Sequence, residues 1–261
     1  VCTYTVDAVL PHDEAAFTQG LVFGVDGTLY ESDGGFSGES AVRSVSLTTG
    51  GSLRRTQNAP EVFGEGLAIH DQKLIQLSWK NDLVFEYSLP ELQLLRSLKV
   101  SIGREGWGLA TDGQQLYITD SGDSLFHVAP HTYEVVRKLP IVDARLGGKR
   151  ILGVNELEWV EGELWGNVYP MYQGSYSECV VRINASTGRV IGWIDLRGLF
   201  DRQPLQVRAE PMNFVLNGIA YHKGSGRVLV TGKKWREMYQ ISLKPLPDLG
   251  PAHITSVCQL G

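Results

Sequence analysis

Apolar and polar positions alternate along most of this chain with the period of two that a half-buried strand requires. AVRSVSL at 41–47, LVFEYSL at 83–89, SLFHVAP at 124–130, CVVRINA at 179–185 and EMYQISL at 237–243 are runs of this kind. Each follows a Gly- or Asp-rich turn and a more apolar run: DGTLYES, DQKLIQLSW, DGQQLYITD, EGELWGNVY and GSGRVLVTG. A second turn, such as TTGG at 48–51 or STGR at 186–189, leads into a further strand such as EVVRKLPI or VIGWIDL. No helical periodicity matches this in strength, so the chain reads as all-β.

A short motif precedes each unit: FTQGL at 17–21, FGEGL at 63–67, EGWGL at 105–109, VNELE at 154–158 and LNGIA at 216–220. Its core positions, Gln19, Glu65, Trp107, Asn155 and Asn217, lie 46, 42, 48 and 62 residues apart. A four-stranded propeller blade takes roughly 40–50 residues. The pattern predicts a five-bladed β-propeller occupying residues 1–261 as a single domain. TYTVDAVL at 3–10 stands ahead of the first motif and reads as an outer strand out of phase with its neighbours. In a ring it closes the last blade and leaves no exposed edge. HITSVCQL at 253–260 is expected to add a strand to that blade.

Composition bears on partners. A net charge of -5 with both signs interspersed and no Lys/Arg block argues against nucleic-acid and membrane surfaces. A small neutral or peptide ligand to a monomer fits better. No apolar run approaches the roughly 18 residues that span a bilayer, and no basic-then-apolar start resembles a signal peptide. A start at Val1 reads as that of a processed chain. The asparagine of N-A-S at 184–186 lies in a glycosylation sequon.

The cysteines, Cys2, Cys179 and Cys258, have no C-x-x-C spacing, which argues against a thiolate metal site. In a closed ring the two chain ends meet, so a Cys2–Cys258 disulfide is expected, in an oxidising compartment and with Cys179 left over. Three isolated thiols are the alternative. His127 and His131 are the histidines at i, i+4 spacing, but they bracket a VAP turn and read as surface rather than a zinc site.

Equivalent positions of a propeller's repeats face one another near its axis, which gathers Gln19, Glu65, Trp107, Asn155 and Asn217. Fourteen residues beyond the motif core come Trp79, Ser121 and Tyr169, and a turn two residues longer puts Lys233 at the same level. Amides and aromatics at such positions also serve packing and loop hydrogen bonds. A lone carboxylate among neutral equivalents is expensive to bury without use, so Glu65 reads as functional.

FTQGL with YES behind it, FGEGL followed by SWKN, GWGLATDG, NELEW with WGNV, STGRVIGWIDL, and LNGIA followed by TGKKW together resemble the metal-independent glutaminyl cyclases of plants and bacteria. The matches run in order from about residue 17 to 240. The resemblance implies a five-bladed propeller that converts the N-terminal glutamine of peptides or proteins to pyroglutamate in a secreted or periplasmic setting. It implies active-site positions at Phe17, Gln19, Phe63, Glu65, Trp79, Trp107, Asn155 and Lys233. It further implies no cofactor for catalysis and a structural calcium on the axis. Tyr169 stands where the family usually has a second tryptophan, and PMYQGSYSEC at 170–179 is longer than the family's usual connection.

On this reading Glu65 accepts a proton from the substrate's α-amine and returns it to the leaving amide nitrogen. Lys233, Asn155 and Gln19 are the candidate donors to the oxyanion. Trp107, Trp79, Tyr169, Phe17 and Phe63 hold the substrate and exclude water. Two rival readings are a calcium-dependent propeller hydrolase or lactonase, for which one Glu and two Asn are a thin ligand set, and a non-catalytic peptide-binding propeller, which has no need of an acid and a cation together.

Overall fold

The computed structural model describes residues 1–171, 177–247 and 250–258. Three separate four-stranded antiparallel sheets come first: Thr18–Phe23 to Ser52–Gln57, Gly64–His70 to Leu94–Lys99, and Leu109–Thr111 to Val135–Pro140. An eight-stranded sheet follows, running from Val154–Val160 at one edge to Leu216–His222 at the other. Within it, the N-terminal strand Cys2–Pro11 pairs antiparallel with Glu237–Pro245 over its whole length. It touches Val190–Asp195 at one parallel pair, Cys2 with Ile194. The chain is all-β in architecture and propeller-like, and its N-terminal strand closes the last set of strands as expected.

Burial grades from the axis outward. The first-sheet inner strand Thr18–Phe23 is buried throughout, whereas Ser52–Gln57, Leu94–Lys99 and Val135–Pro140 are largely exposed. The core is a cycle of apolar clusters between neighbouring groups of strands. One joins Val22, Tyr30 and Val42 to Leu67, Leu74 and Phe85; another joins Ala220, Leu229 and Met238 back to Leu21 and Leu29.

The inner strands approach so closely that the residue after the motif core must be small. A Cβ on Gly66 would lie 2.3 Å from the Trp107 carbonyl oxygen, and one on Gly108 would lie 2.0 Å from that of Asn155. The fourth motif carries Glu156 instead. Its buried carboxylate accepts from the backbone amides of Leu21 at 3.4 Å and Ile219 at 3.0 Å, and so ties three inner strands together.

Two expectations at the C-terminus are overturned. Residues 253–258 do not form a strand: Gly250–Cys258 is an α-helix, and residues 259–260 lie outside the described residues. Its buried positions Ile254, Val257 and Cys258 are spaced by three and one, which places them on one helical face packed against Cys179, Ala185 and Trp193. The helix also sets Cys258 against Cys179. The disulfide is Cys179–Cys258, with Cα atoms 5.4 Å apart, and Cys2 is the free thiol. The N-terminus meets the end of the last strand, the amide of Leu246 donating to the Val1 carbonyl, whereas the helix Gly250–Cys258 packs on the fourth group of strands.

Candidate active site

The side chains that repeat counting places on the axis are aimed there by β-bulges. In four inner pairs the register slips at the motif core: between Thr18 and Gly20, Gly64 and Leu67, Val154 and Leu157, and Leu216 and Ile219. Those slips fall at Gln19, Glu65, Asn155 and Asn217, and a bulge re-aims the residue it releases from the ladder.

The second ring has an equally regular cause. Trp79, Tyr169 and Lys233 each follow the last residue of a second strand. Their amides donate to the carbonyls of Phe63, Gly153 and Val215, in each case two residues before the motif core. In the first repeat the matching bond comes from Gly34 to Phe17, where a Cβ would lie 2.4 Å from the Phe63 ring.

Nine side chains line one cavity of about 270 Å³: Phe17, Gln19, Phe63, Glu65, Trp79, Trp107, Asn155, Tyr169 and Lys233. They are the nine catalytic and substrate-binding candidates that the sequence predicts. Ser121 is not among them. Asn217 stands behind the wall, its Nδ2 donating to the Thr18 carbonyl at 2.9 Å and to Gln19 Oε1 at 3.2 Å. With its oxygen so engaged, Gln19 presents Nε2 to Glu65 Oε1 at 2.8 Å.

Glu65 Oε2 and Asn155 Oδ1 are buried and have no hydrogen-bond partner among the described residues. Such atoms are costly to leave unsatisfied, and here they face a cavity sized for a ligand. Burial pushes the Glu65 carboxyl up to about 8, with Lys233 opposing and Glu105 adding to the rise. Burial also pulls the Lys233 ammonium down to about 8, against the attraction of Glu65.

The Lys233 ammonium lies 4.9 Å from the Phe17 ring centre and 5.2 Å from that of Tyr169, a cation held by ring faces. The Tyr169 hydroxyl donates to the Met212 carbonyl at 3.2 Å, leaving its ring to the pocket and to an edge contact with Trp107 at 5.8 Å. Residues 172–176 of the long connection lie outside the described residues.

Calcium takes about six to eight oxygen ligands, carboxylates prominent among them. Among the described residues no group of three or more His, Cys, Asp or Glu side chains is arranged to hold a metal ion, and both oxygens of Glu156 already accept backbone amides.

The sequence model of the glutamine cyclotransferase family matches residues 1–243. Glutaminyl-peptide cyclotransferase of Arabidopsis thaliana is 37% identical over 255 residues, which cover 97% of this chain and 75% of that protein. The crystal structure of Myxococcus xanthus glutaminyl cyclase aligns with a TM-score of 0.82 at 31% identity, covering 94% of this chain and 98% of that one. The WD40 repeats of RRP9 align with a TM-score of 0.55 at 12% identity over 92% of this chain and 100% of theirs, a likeness of fold alone.

Proposed function

The chain belongs to the glutamine cyclotransferase family, and we propose that it closes the N-terminal glutamine of peptides or proteins into pyroglutamate with release of ammonia. The scaffold is read as a five-bladed ring, the eight-stranded sheet being two blades joined at the single Cys2–Ile194 pair. The cycle of apolar clusters between neighbouring groups of strands supports that reading.

The carrying observation is a buried carboxyl with one oxygen unpartnered among the described residues, in the same aromatic pocket as a buried lysine; burial pushes the carboxyl up to about 8 and the ammonium down to about 8. A peptide α-ammonium titrates at about 7.7–8.0, so passing its proton to Glu65 is close to thermoneutral. The freed amine attacks the glutamine side-chain carbonyl carbon. A C–N bond forms and the carbonyl oxygen becomes an oxyanion.

Lys233 and Asn155 donate to that oxygen, while Gln19 holds the Glu65 carboxylate in place. As the tetrahedral intermediate collapses, Glu65 returns its proton to the departing nitrogen, which leaves as ammonia; the carboxylate so regenerated takes the second proton from the ring nitrogen, leaving a neutral lactam, and passes it to the ammonia, which departs as ammonium. The base becomes the acid, and no net proton is consumed at the enzyme. The rings of Phe17, Phe63, Trp79, Trp107 and Tyr169 hold the flexible side chain folded toward its own amine and keep out competing water.

Catalysis proceeds on this reading without a metal or other cofactor. The Cys179–Cys258 disulfide supports a secreted or periplasmic setting, where such bonds persist. The test is mass spectrometry of a Gln-led peptide incubated with the protein: loss of one ammonia is expected, and a folded protein that leaves the peptide unchanged refutes the function.

A further inference from the structure

Phe36 belongs to neither ring of the pocket, yet it extends the aromatic wall outward. Its ring centre lies 5.2 Å from that of Phe63 and 6.4 Å from that of Trp79, while Phe63 and Trp79 lie 5.6 Å apart. Phe63 and Trp79 line the cavity, whereas Phe36 is 51% exposed at its rim. Together the three rings form a continuous apolar surface from the buried site to solvent.

The turn that carries Phe36 is held from several sides. The amide of Ser37 donates to the Pro60 carbonyl at 2.9 Å, and Gln57 Nε2 donates to the Gly38 carbonyl at 2.6 Å. Ser40 Oγ donates to the Gly35 carbonyl and accepts from the Gly64 amide, both at 2.8 Å. Ser37 itself takes a φ of 59°, a conformation that non-glycine residues adopt at a cost. A half-exposed phenylalanine on a turn braced in this way is presented to solvent in a fixed place, ready to bind without an ordering penalty.

At about 270 Å³ the cavity falls below the roughly 300–1,000 Å³ typical of pockets for drug-sized ligands. A pocket of that size suits a single amino-acid residue, and the proposed function places the glutamine in it. The second residue of the peptide must then lie at the rim. We propose that Phe36, with the outer edge of Trp79, is a shelf for the side chain of that second residue and selects large apolar side chains, aromatic ones above all.

This assignment rests on the cyclase function proposed above. A separate charged cavity of about 220 Å³, whose lining includes Asp13, Asp33, Arg43 and Lys234, sits beside the pocket residues Phe17 and Lys233 in sequence, and a peptide directed there would instead favour a charged second residue.

The test compares kcat/KM for Gln-Phe, Gln-Gly, Gln-Lys and Gln-Glu amides with the wild type, Phe36→Ala and Phe36→Trp. The wild type is expected to favour Gln-Phe over Gln-Gly by about tenfold, the size of gain that partial burial of one ring against another brings. Phe36→Ala should collapse that ratio toward one through KM, and Phe36→Trp should restore it. An unchanged ratio in Phe36→Ala, a wild-type ratio near one, or a preference for a charged second residue would overturn the shelf while leaving the cyclase intact. A folded wild type that cyclises none of the four refutes the function itself, and the shelf with it.

Discussion

Glu65 and Lys233 share one buried pocket without closing on each other. The carboxylate takes its hydrogen bond from Gln19, and the ammonium rests against the rings of Phe17 and Tyr169. An acid and a cation kept apart in this way leave room between them for a reacting group that meets both.

Activity should follow a bell-shaped pH profile centred near 8. The working form has Glu65 ionised and Lys233 protonated. Below about 8 Glu65 holds a proton and cannot take another, and above about 8 Lys233 loses the charge that stabilises the oxyanion. Profiles of kcat/KM report these free-enzyme groups. Lys233→Arg, which keeps its charge throughout, should lose the descending limb due to lysine while turning over more slowly. A variant with an unmoved alkaline limb would detach Lys233 from it.

Asn217 fixes which end of the Gln19 amide faces Glu65. Asn217→Ala frees Gln19 Oε1, so the amide can turn and offer the carboxylate an oxygen instead of a donor. Losing one buried hydrogen bond of this kind costs about 1–3 kcal/mol. The expected result is about a tenfold drop in kcat with the acid limb of the pH profile displaced upward, because Glu65 then has less help holding its charge. A drop in thermal stability with an unmoved profile would make Asn217 merely structural.

Glu156 is expected to be a stability residue. Both of its oxygens accept amides, and a glutamine in its place has one acceptor oxygen only, leaving Leu21 or Ile219 facing an amide nitrogen. Burial pushes the Glu156 carboxyl well up, so the loss of an acceptor in Glu156→Gln, about 1–3 kcal/mol, should show as a lower melting temperature at acidic pH and shrink as pH climbs, where charging the buried carboxyl weakens the wild type. An unchanged melt would mean that the two amides find other partners.

The Cys179–Cys258 bridge spans 79 residues of sequence and pins the C-terminal helix. Cys258→Ser should lower unfolding free energy by about 2–4 kcal/mol. Cys2→Ser should leave stability unchanged, and a melt in which Cys2→Ser is the damaging change would restore the pairing of the chain ends.

What is legible in the sequence follows the repeat. Gln19, Glu65, Trp107 and Asn155 stand out because the repeats re-use one inner motif, and Trp79, Tyr169 and Lys233 because a second-strand length is re-used with it. Glu156 also leaves a readable sign, since the other four motifs carry glycine after the core position.

Phe36 is hidden for a different reason: it sits in an irregular turn of the first repeat, where periodicity has nothing to register. The C-terminal helix passes for a strand because a short segment with apolar residues at 254, 257 and 258 satisfies alternation in part, and its packing partners lie some 70 residues upstream. The wrong disulfide follows from the same ambiguity, since a strand at 253–260 would keep Cys258 beside the N-terminal strand.

The most direct measurement is turnover of a Gln-led peptide by Glu65→Gln. The substitution keeps the shape and removes the proton acceptor. Its fold should hold, and above pH 8 its melting temperature should be no lower than that of the wild type. A carboxyl that folding raises to about 8 from the ordinary carboxylate range opposes folding increasingly as pH climbs between the two values, and the amide lacks that penalty. With the folded variant in hand, ammonia release should fall by about 10²–10⁴ at pH 8. Turnover within a few-fold of the wild type would contradict the shuttle at Glu65.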